Sequence, residues 1–152
     1  MDARDRALRY LNARMCSCEQ MRSYLLRKGY EEEEIEPVIA ELLEYHYLDD
    51  LRYAEVMIRS GFDKGRGIRR IRSDLRAKGV SPEIIAEAEE AMEEPTDEYA
   101  MAEEIARSIL SGIDSSEMDY REKEKLKARI ARRLAGRGFS TEIIYRVIGR
   151  LV

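Results

Sequence analysis

The chain of 152 residues is poor in the residues on which chemistry and cross-linking usually depend: one histidine, two cysteines, three prolines and no tryptophan. With His46 alone, no pairing of a nucleophile with a histidine base can be assembled around it. Cys16 and Cys18 stand one residue apart, a poor geometry for a structural disulfide, and they supply only half the ligands of a closed zinc site. They are expected to be free thiols in a reducing compartment. No apolar run approaches the roughly 18 residues of a membrane span. The start, Met1-Asp2-Ala3-Arg4-Asp5, lacks the apolar centre of a secretory signal. The expectation is a cytoplasmic protein with no membrane contact, no cofactor, no metal and no catalytic site.

What is abundant is charge. Lys, Arg, Asp and Glu make up 38% of the chain and apolar residues 44%, with a net charge of -4. The signs are sorted into blocks. Residues 51–80 hold nine Lys or Arg against three acids, and residues 121–152 hold ten against three, whereas 31–50 and 81–120 are strongly acidic. Screening acts over about 8 Å at physiological salt, so an anionic partner senses a local block rather than the total.

A repeat organises these blocks. Leu25, Lys28, Gly29, Tyr30 recurs as Leu75, Lys78, Gly79, Val80 and as Leu134, Arg137, Gly138, Phe139. Met21, Ile71 and Ile130 precede each leucine by four residues, and Ile35, Ile85 and Ile144 follow each glycine by six. Such a pattern predicts a helix stopped by a left-handed Gly, with the next apolar residue folded back on the finished helix. Ser17 with Gln20 reads as a capping box, Ser81 as an N-cap before Pro82, and Ser140 as an N-cap of the last helix. A further helix precedes each pair, over about 6–14, 50–59 and 97–110. Apolar residues recur at spacings of three and four, as in Ile68, Ile71, Leu75 and in Leu126, Ile130, Leu134. The predicted fold is all-α: three tandem three-helix repeats over 5–48, 49–93 and 97–152, about nine helices with helix-turn-helix-like units, elongated and curved. Glu93-Glu94-Pro95-Thr96 reads as the break before the third repeat, and Ser111 to Asp119 as a polar loop.

Gly65-Arg66-Gly67 lacks the Gly-Lys-Ser/Thr ending of a phosphate loop and reads as a helix-start turn. The acids Glu31 to Glu34, Asp49 and Asp50 read as caps and solvated helix starts rather than cation ligands. The basic residues carry the functional reading. At 100° per residue, Arg69, Arg72 and Arg76 fall within about 60° of one another beside an apolar stripe. Arg66 and Lys78 flank them. Arg121, Lys125, Arg129, Arg132 and Arg133 form a second cationic stripe around Leu126, Ile130 and Leu134. These ten residues are the candidate contact surface for an anionic partner; a solvated helix face paired with the acidic blocks is the plainer alternative.

Tyr47-Leu48-Asp49-Asp50-Leu51-Arg52-Tyr53-Ala54 is similar to the signature of the RecX family, regulators of the RecA recombinase. Gly65, Gly67, Arg70-Ile71, Leu75 and Lys78-Gly79-Val80 follow in the family's order. The first repeat agrees at Ala7, Leu8, Leu11, Arg14, Ser17 and Leu25 to Tyr30. Ile68 stands where the family commonly has proline, and the net charge is acidic where many relatives are basic. The resemblance spans essentially the whole chain and is strongest over 7–80. It implies a regulator, expected to be a monomer, that binds RecA filaments on single-stranded DNA and inhibits ATPase, strand exchange and coprotease activity. Affinity for DNA alone is left open. The rival reading is a stand-alone helix-turn-helix-like DNA-binding regulator. Tyr47, Leu48, Asp49, Arg52 and Tyr53 are expected to serve as cap, core and local pairing.

Overall fold

The computed structural model describes residues 1–92 and 96–152. Glu93, Glu94 and Pro95, most of the segment read as the break before the third repeat, lie outside the described residues. Nine α-helices and no strand occur among the described residues. They are α1 (Ala3–Ala13), α2 (Cys18–Arg27), α3 (Glu32–Glu44), α4 (Asp50–Asp63), α5 (Ile68–Ala77), α6 (Pro82–Glu90), α7 (Glu98–Leu110), α8 (Tyr120–Gly136) and α9 (Thr141–Leu151). Helix α4 runs four residues past its expected end, and the polar loop after α7 contains a short 3-10 turn at Ser115–Glu117.

The punctuation follows local chemistry. Ser17 Oγ accepts the Gln20 N–H while the Gln20 side chain accepts the Ser17 N–H, which closes the capping box. Ser81 and Ser140 cap α6 and α9 through the N–H groups of Ile84 and Ile143. Gly29, Gly79 and Gly138 all sit at φ near +90°. Behind them the N–H groups of Tyr30, Val80 and Phe139 each donate at 3.1 Å to the carbonyls of Leu25, Leu75 and Leu134. Each turn thereby satisfies carbonyls left open at a helix end and folds its apolar residue onto the core. The same turn ends α3, but there His46 takes the left-handed position at φ 60°. Tyr47 and His46 donate to the carbonyls of Leu42 and Leu43.

The chain gathers into two compact units, Met1–Ile58 with Ser73–Glu93, and Arg59–Arg72 with Glu94–Val152. The division falls within α4 and within α5. In unit 1 the core is built from Ala7, Met21, Leu25, Ile35, Ile39, Leu42 and Leu48, all nearly inaccessible. In unit 2 Ala102, Ala106, Ile130, Leu134, Phe139 and Val147 play that part. The repeat positions Met21, Ile71 and Ile130, like Leu25, Leu75 and Leu134, are buried in every copy. Truncating such a leucine to alanine costs about 2–5 kcal/mol.

One contact is used twice. In unit 1 the turn between α5 and α6 sits on the start of α2: Ser17 Oγ donates to the Lys78 carbonyl, and a Cβ on Gly79 would fall 2.3 Å from Cβ of Glu19. In unit 2 the turn between α8 and α9 sits in the same way on the start of α5. Gly67 N–H donates to the Arg137 carbonyl at 2.7 Å and Arg69 N–H to the Gly138 carbonyl at 3.2 Å. A Cβ on Gly138 would lie 2.4 Å from Cβ of Arg70. The start of one repeat's middle helix therefore seats the Lys/Arg-Gly turn of the next. Around Gly29, the first copy of that turn, nothing lies within 4 Å of an added Cβ.

Candidate functional site

Gly65-Arg66-Gly67 does two jobs rather than one. Gly65, at φ 76°, ends α4, with its N–H on the Phe62 carbonyl and the Arg66 N–H on the Gly61 carbonyl. Gly67 starts α5 and lets its backbone touch that of Gly138. Glu98, at the start of α7, accepts the next free N–H, that of Ile68, at 2.8 Å. With those donors occupied by the protein itself, the segment is no phosphate loop.

The consequence of this packing is electrostatic. Bringing the α4–α5 turn against the end of α8 gathers Lys64, Arg66 and Arg70 with Arg132, Arg133 and Arg137 around one cleft of about 470 Å³. Among the described residues, every charged side chain lining it is a cation. Arg137 Nη1 reaches the Lys64 carbonyl at 3.4 Å, which holds its guanidinium over the turn. Arg66 and Arg137 are half-buried and the other four exposed. Arg66 and Arg70 each make a further interaction within the protein.

Of the ten cations singled out from the sequence, Arg66, Arg132 and Arg133 thus meet in unit 2. Arg69 and Arg72 are exposed on α5, and Arg121, Lys125 and Arg129 are exposed along α8, away from the cleft lining. Arg76 and Lys78 border a different cleft, in unit 1, with Arg27, Glu19 and Tyr10. Sequence reasoning missed Lys64, Arg70 and Arg137. Arg137 carried a signal, since it stands at the repeat's Lys/Arg position beside Lys28 and Lys78; its meeting with Lys64, 73 residues away, carried none.

Acids neutralise a different set of cations. Arg4 pairs with Glu41 at 2.9 Å, Arg22 bridges Glu19 and Glu36, Arg107 pairs with Glu103 and Lys127 with Glu124. Arg72 has an interaction of its own. Arg69, Arg76, Lys78, Arg121, Lys125, Arg129, Arg132 and Arg133 form no ion pair among the described residues.

The signature segment is mainly structural. Leu48, Tyr53 and Ala54 are buried, Asp49 caps α4 through the Arg52 N–H, and Asp50 Oδ1 accepts the Cys18 N–H at 2.9 Å. Tyr47 is 61% exposed, at the rim of a cleft with Leu8, Leu11 and Met15. Cys16 and Cys18 are free and buried. Burial, and then the charge of Asp50, pushes the Cys16 thiol up to about 11 and the Cys18 thiol to about 12. Among the described residues no three His, Cys, Asp or Glu side chains are grouped to hold a metal ion, and no helix is long and apolar enough to cross a membrane.

Three-helix repeats with arginine-rich helix faces define the class: an all-helical repeat protein with cationic surfaces. Comparison with known proteins narrows it. Residues 3–42, 49–88 and 96–148 match the family models described as the first, second and third three-helix domains of RecX. The chain is 38% identical over 144 residues to the regulatory protein RecX of Vibrio vulnificus, covering 95% of this chain and 89% of that one. It is 34% identical over 147 residues to that of Mycobacterium leprae, covering 96% and 83%. In structure it resembles the crystal structure of RecX from Lactobacillus salivarius, with a TM-score of 0.81 at 24% identity over 98% of this chain and 94% of that one. The chain belongs to the RecX family of regulatory proteins.

Proposed function

We propose that this protein binds RecA filaments assembled on single-stranded DNA and inhibits their ATPase, strand-exchange and coprotease activities, acting by binding rather than by catalysis. The observation that carries this reading is the segregation of charge: the acidic segments hold Arg4, Arg22 and Arg107, while Arg69 and Arg76 on α5 and Arg121, Lys125, Arg129, Arg132 and Arg133 on α8 are exposed and form no ion pair among the described residues. A filament presents DNA phosphate and protein carboxylates to such faces. Arg66, Arg69, Arg72, Arg76 and Lys78, with Arg121, Lys125, Arg129, Arg132 and Arg133, are the proposed contacts. Inhibition requires preference for one filament conformation, because a ligand shifts an equilibrium only through differential affinity for its states. Contact with neighbouring RecA protomers would supply that preference by opposing the rearrangements of ATP turnover.

The test is DNA-dependent ATP hydrolysis by RecA from the same source, on single-stranded DNA, as this protein is titrated in. Inhibition at or below equimolar protein supports the reading. Unchanged hydrolysis by folded, monodisperse protein moves the function to stand-alone DNA binding. That alternative carries its own signature: five phosphate contacts on duplex DNA give a log-log salt slope of about -4.5.

A further inference from the structure

Twice in this chain a Lys/Arg-Gly turn at a helix end is covered by the start of another helix, and once it is bare. In both covered copies the residue just before the incoming helix donates to the carbonyl just before the glycine. Ser17 Oγ reaches the Lys78 carbonyl, and Gly67 N–H reaches the Arg137 carbonyl. In both, the glycine lies so close to the first turn of that helix, at Glu19 or at Arg70, that a methyl group has no room. The pairing has an electrostatic cause: the last carbonyls of one helix carry partial negative charge, and the first N–H groups of the other carry partial positive charge. The first copy has the same turn without the cover. Gly29 stands at φ +94° with nothing within 4 Å of an added Cβ, and among the described residues no donor reaches the Lys28 carbonyl. Arg27 and Lys28 are exposed there. Leu26 is 55% exposed, at the position that Arg76 and Ala135 occupy in the covered copies. Apolar surface so placed gains from being taken out of water.

We propose that the bare Lys28-Gly29 turn docks the start of a helix on RecA, in the way the starts of α2 and α5 dock the two later turns. The proposal rests on the filament reading and adds the end of α2 to the faces of α5 and α8. The two covered copies define the chemistry of the occupant. A serine, threonine or glycine stands just before the helix, presenting a donor to the Lys28 carbonyl without bulk. An acid in its first turn, like Glu19 in α2, faces Arg27 and Lys28 and suits the positive end of its own helix. An apolar residue of the same turn covers Leu26. The corresponding starts in a second copy of this chain, those of α2 and α5, are already taken by that copy's own turns.

The experiment is co-sedimentation of the full chain with RecA filaments assembled on single-stranded DNA with a slowly hydrolysed ATP analogue. Asparagine tolerates a left-handed φ, so Gly29→Asn keeps the turn and puts a side chain where the incoming helix must lie. It is expected to weaken binding by at least about tenfold through overpacking at the contact. Gly112→Asn, at an equally open glycine of φ +79° in the loop after α7, leaves binding unchanged. Should Gly29→Asn disturb folding, Leu26→Gln weakens binding by about threefold or more, through lost apolar burial and without touching the turn's backbone. Lys28→Cys, labelled with a benzophenone while the buried Cys16 and Cys18 stay unreacted, is expected to cross-link to the first turn of a RecA helix. Undiminished binding by Gly29→Asn, equal weakening by the Gly29 and Gly112 variants, or a cross-link to a strand or the middle of a helix would overturn the docking site and leave the filament reading standing. A concentration-dependent dimer that Gly29→Asn abolishes would give the turn to a second copy and overturn the choice of partner. If the unaltered chain does not bind the filament at all, the filament reading and the partner assigned to this turn fall together.

Discussion

A methyl group on Gly67 would stand 2.5 Å from the carbonyl carbon and oxygen of Gly138, and neither backbone can yield without moving a helix end. Gly29 has the opposite problem: open space around it, but a φ of +94° that a side chain resists. Gly67→Ala is therefore expected to destabilise the protein by about 2 kcal/mol through overpacking. Gly29→Ala should cost about 1 kcal/mol through backbone strain alone. Urea midpoints of the two variants check the order. The buried thiols give a second prediction. Their folded-state pKa values, about 11 and about 12, lie above the ordinary 9.0, so their contribution is fully present below pH 9 and is lost as pH rises through 11 to 12. Unfolding free energies measured from about pH 8 to about pH 11 should fall, and Cys16→Ala/Cys18→Ala should flatten that slope. At neutral pH both thiols should resist alkylation until the chain unfolds.

Helices α5 and α8 show how one element serves two ends. Ile71 and Leu75, or Leu126, Ile130 and Leu134, bury one face while the arginines occupy the rest. Because the charged residues are exposed, reversing them leaves the core intact. Arg69→Glu/Arg72→Glu/Arg76→Glu is expected to abolish inhibition of RecA ATPase while circular dichroism stays helical; unchanged inhibition would remove α5 from the contact surface. The apolar periodicity of these helices was legible because it is local, and so were their stops and caps. Tyr47 follows the left-handed His46 at the end of α3 and is 61% exposed, while Leu48 beside it is buried.

At the scale of the whole molecule, the turn that begins as Lys28-Gly29 is seated twice in later copies and left open in its first. The matching helix start is missing from the last repeat. Helices α2 and α5 begin with Cys18 and Ile68, each seven residues before the repeat leucine, but α8 begins with Tyr120, fourteen before Leu134. Two extra turns stand there in place of the short start of α2 and α5. The protein is thus expected to be a monomer at micromolar concentration by sedimentation; a concentration-dependent dimer would show that the open turn finds a partner by another route.

Helix number, caps, the three glycine stops and membership of a repeat family were all determined by sequence, since each depends on residues within one or two helical turns of one another. The cationic cleft was decided by tertiary structure. Lys64 and Arg137 lie far apart in the chain and meet only because Gly67 and Gly138 let two backbones approach within van der Waals contact. Charge can be counted along a sequence, but its density in space depends on which helix ends are brought together.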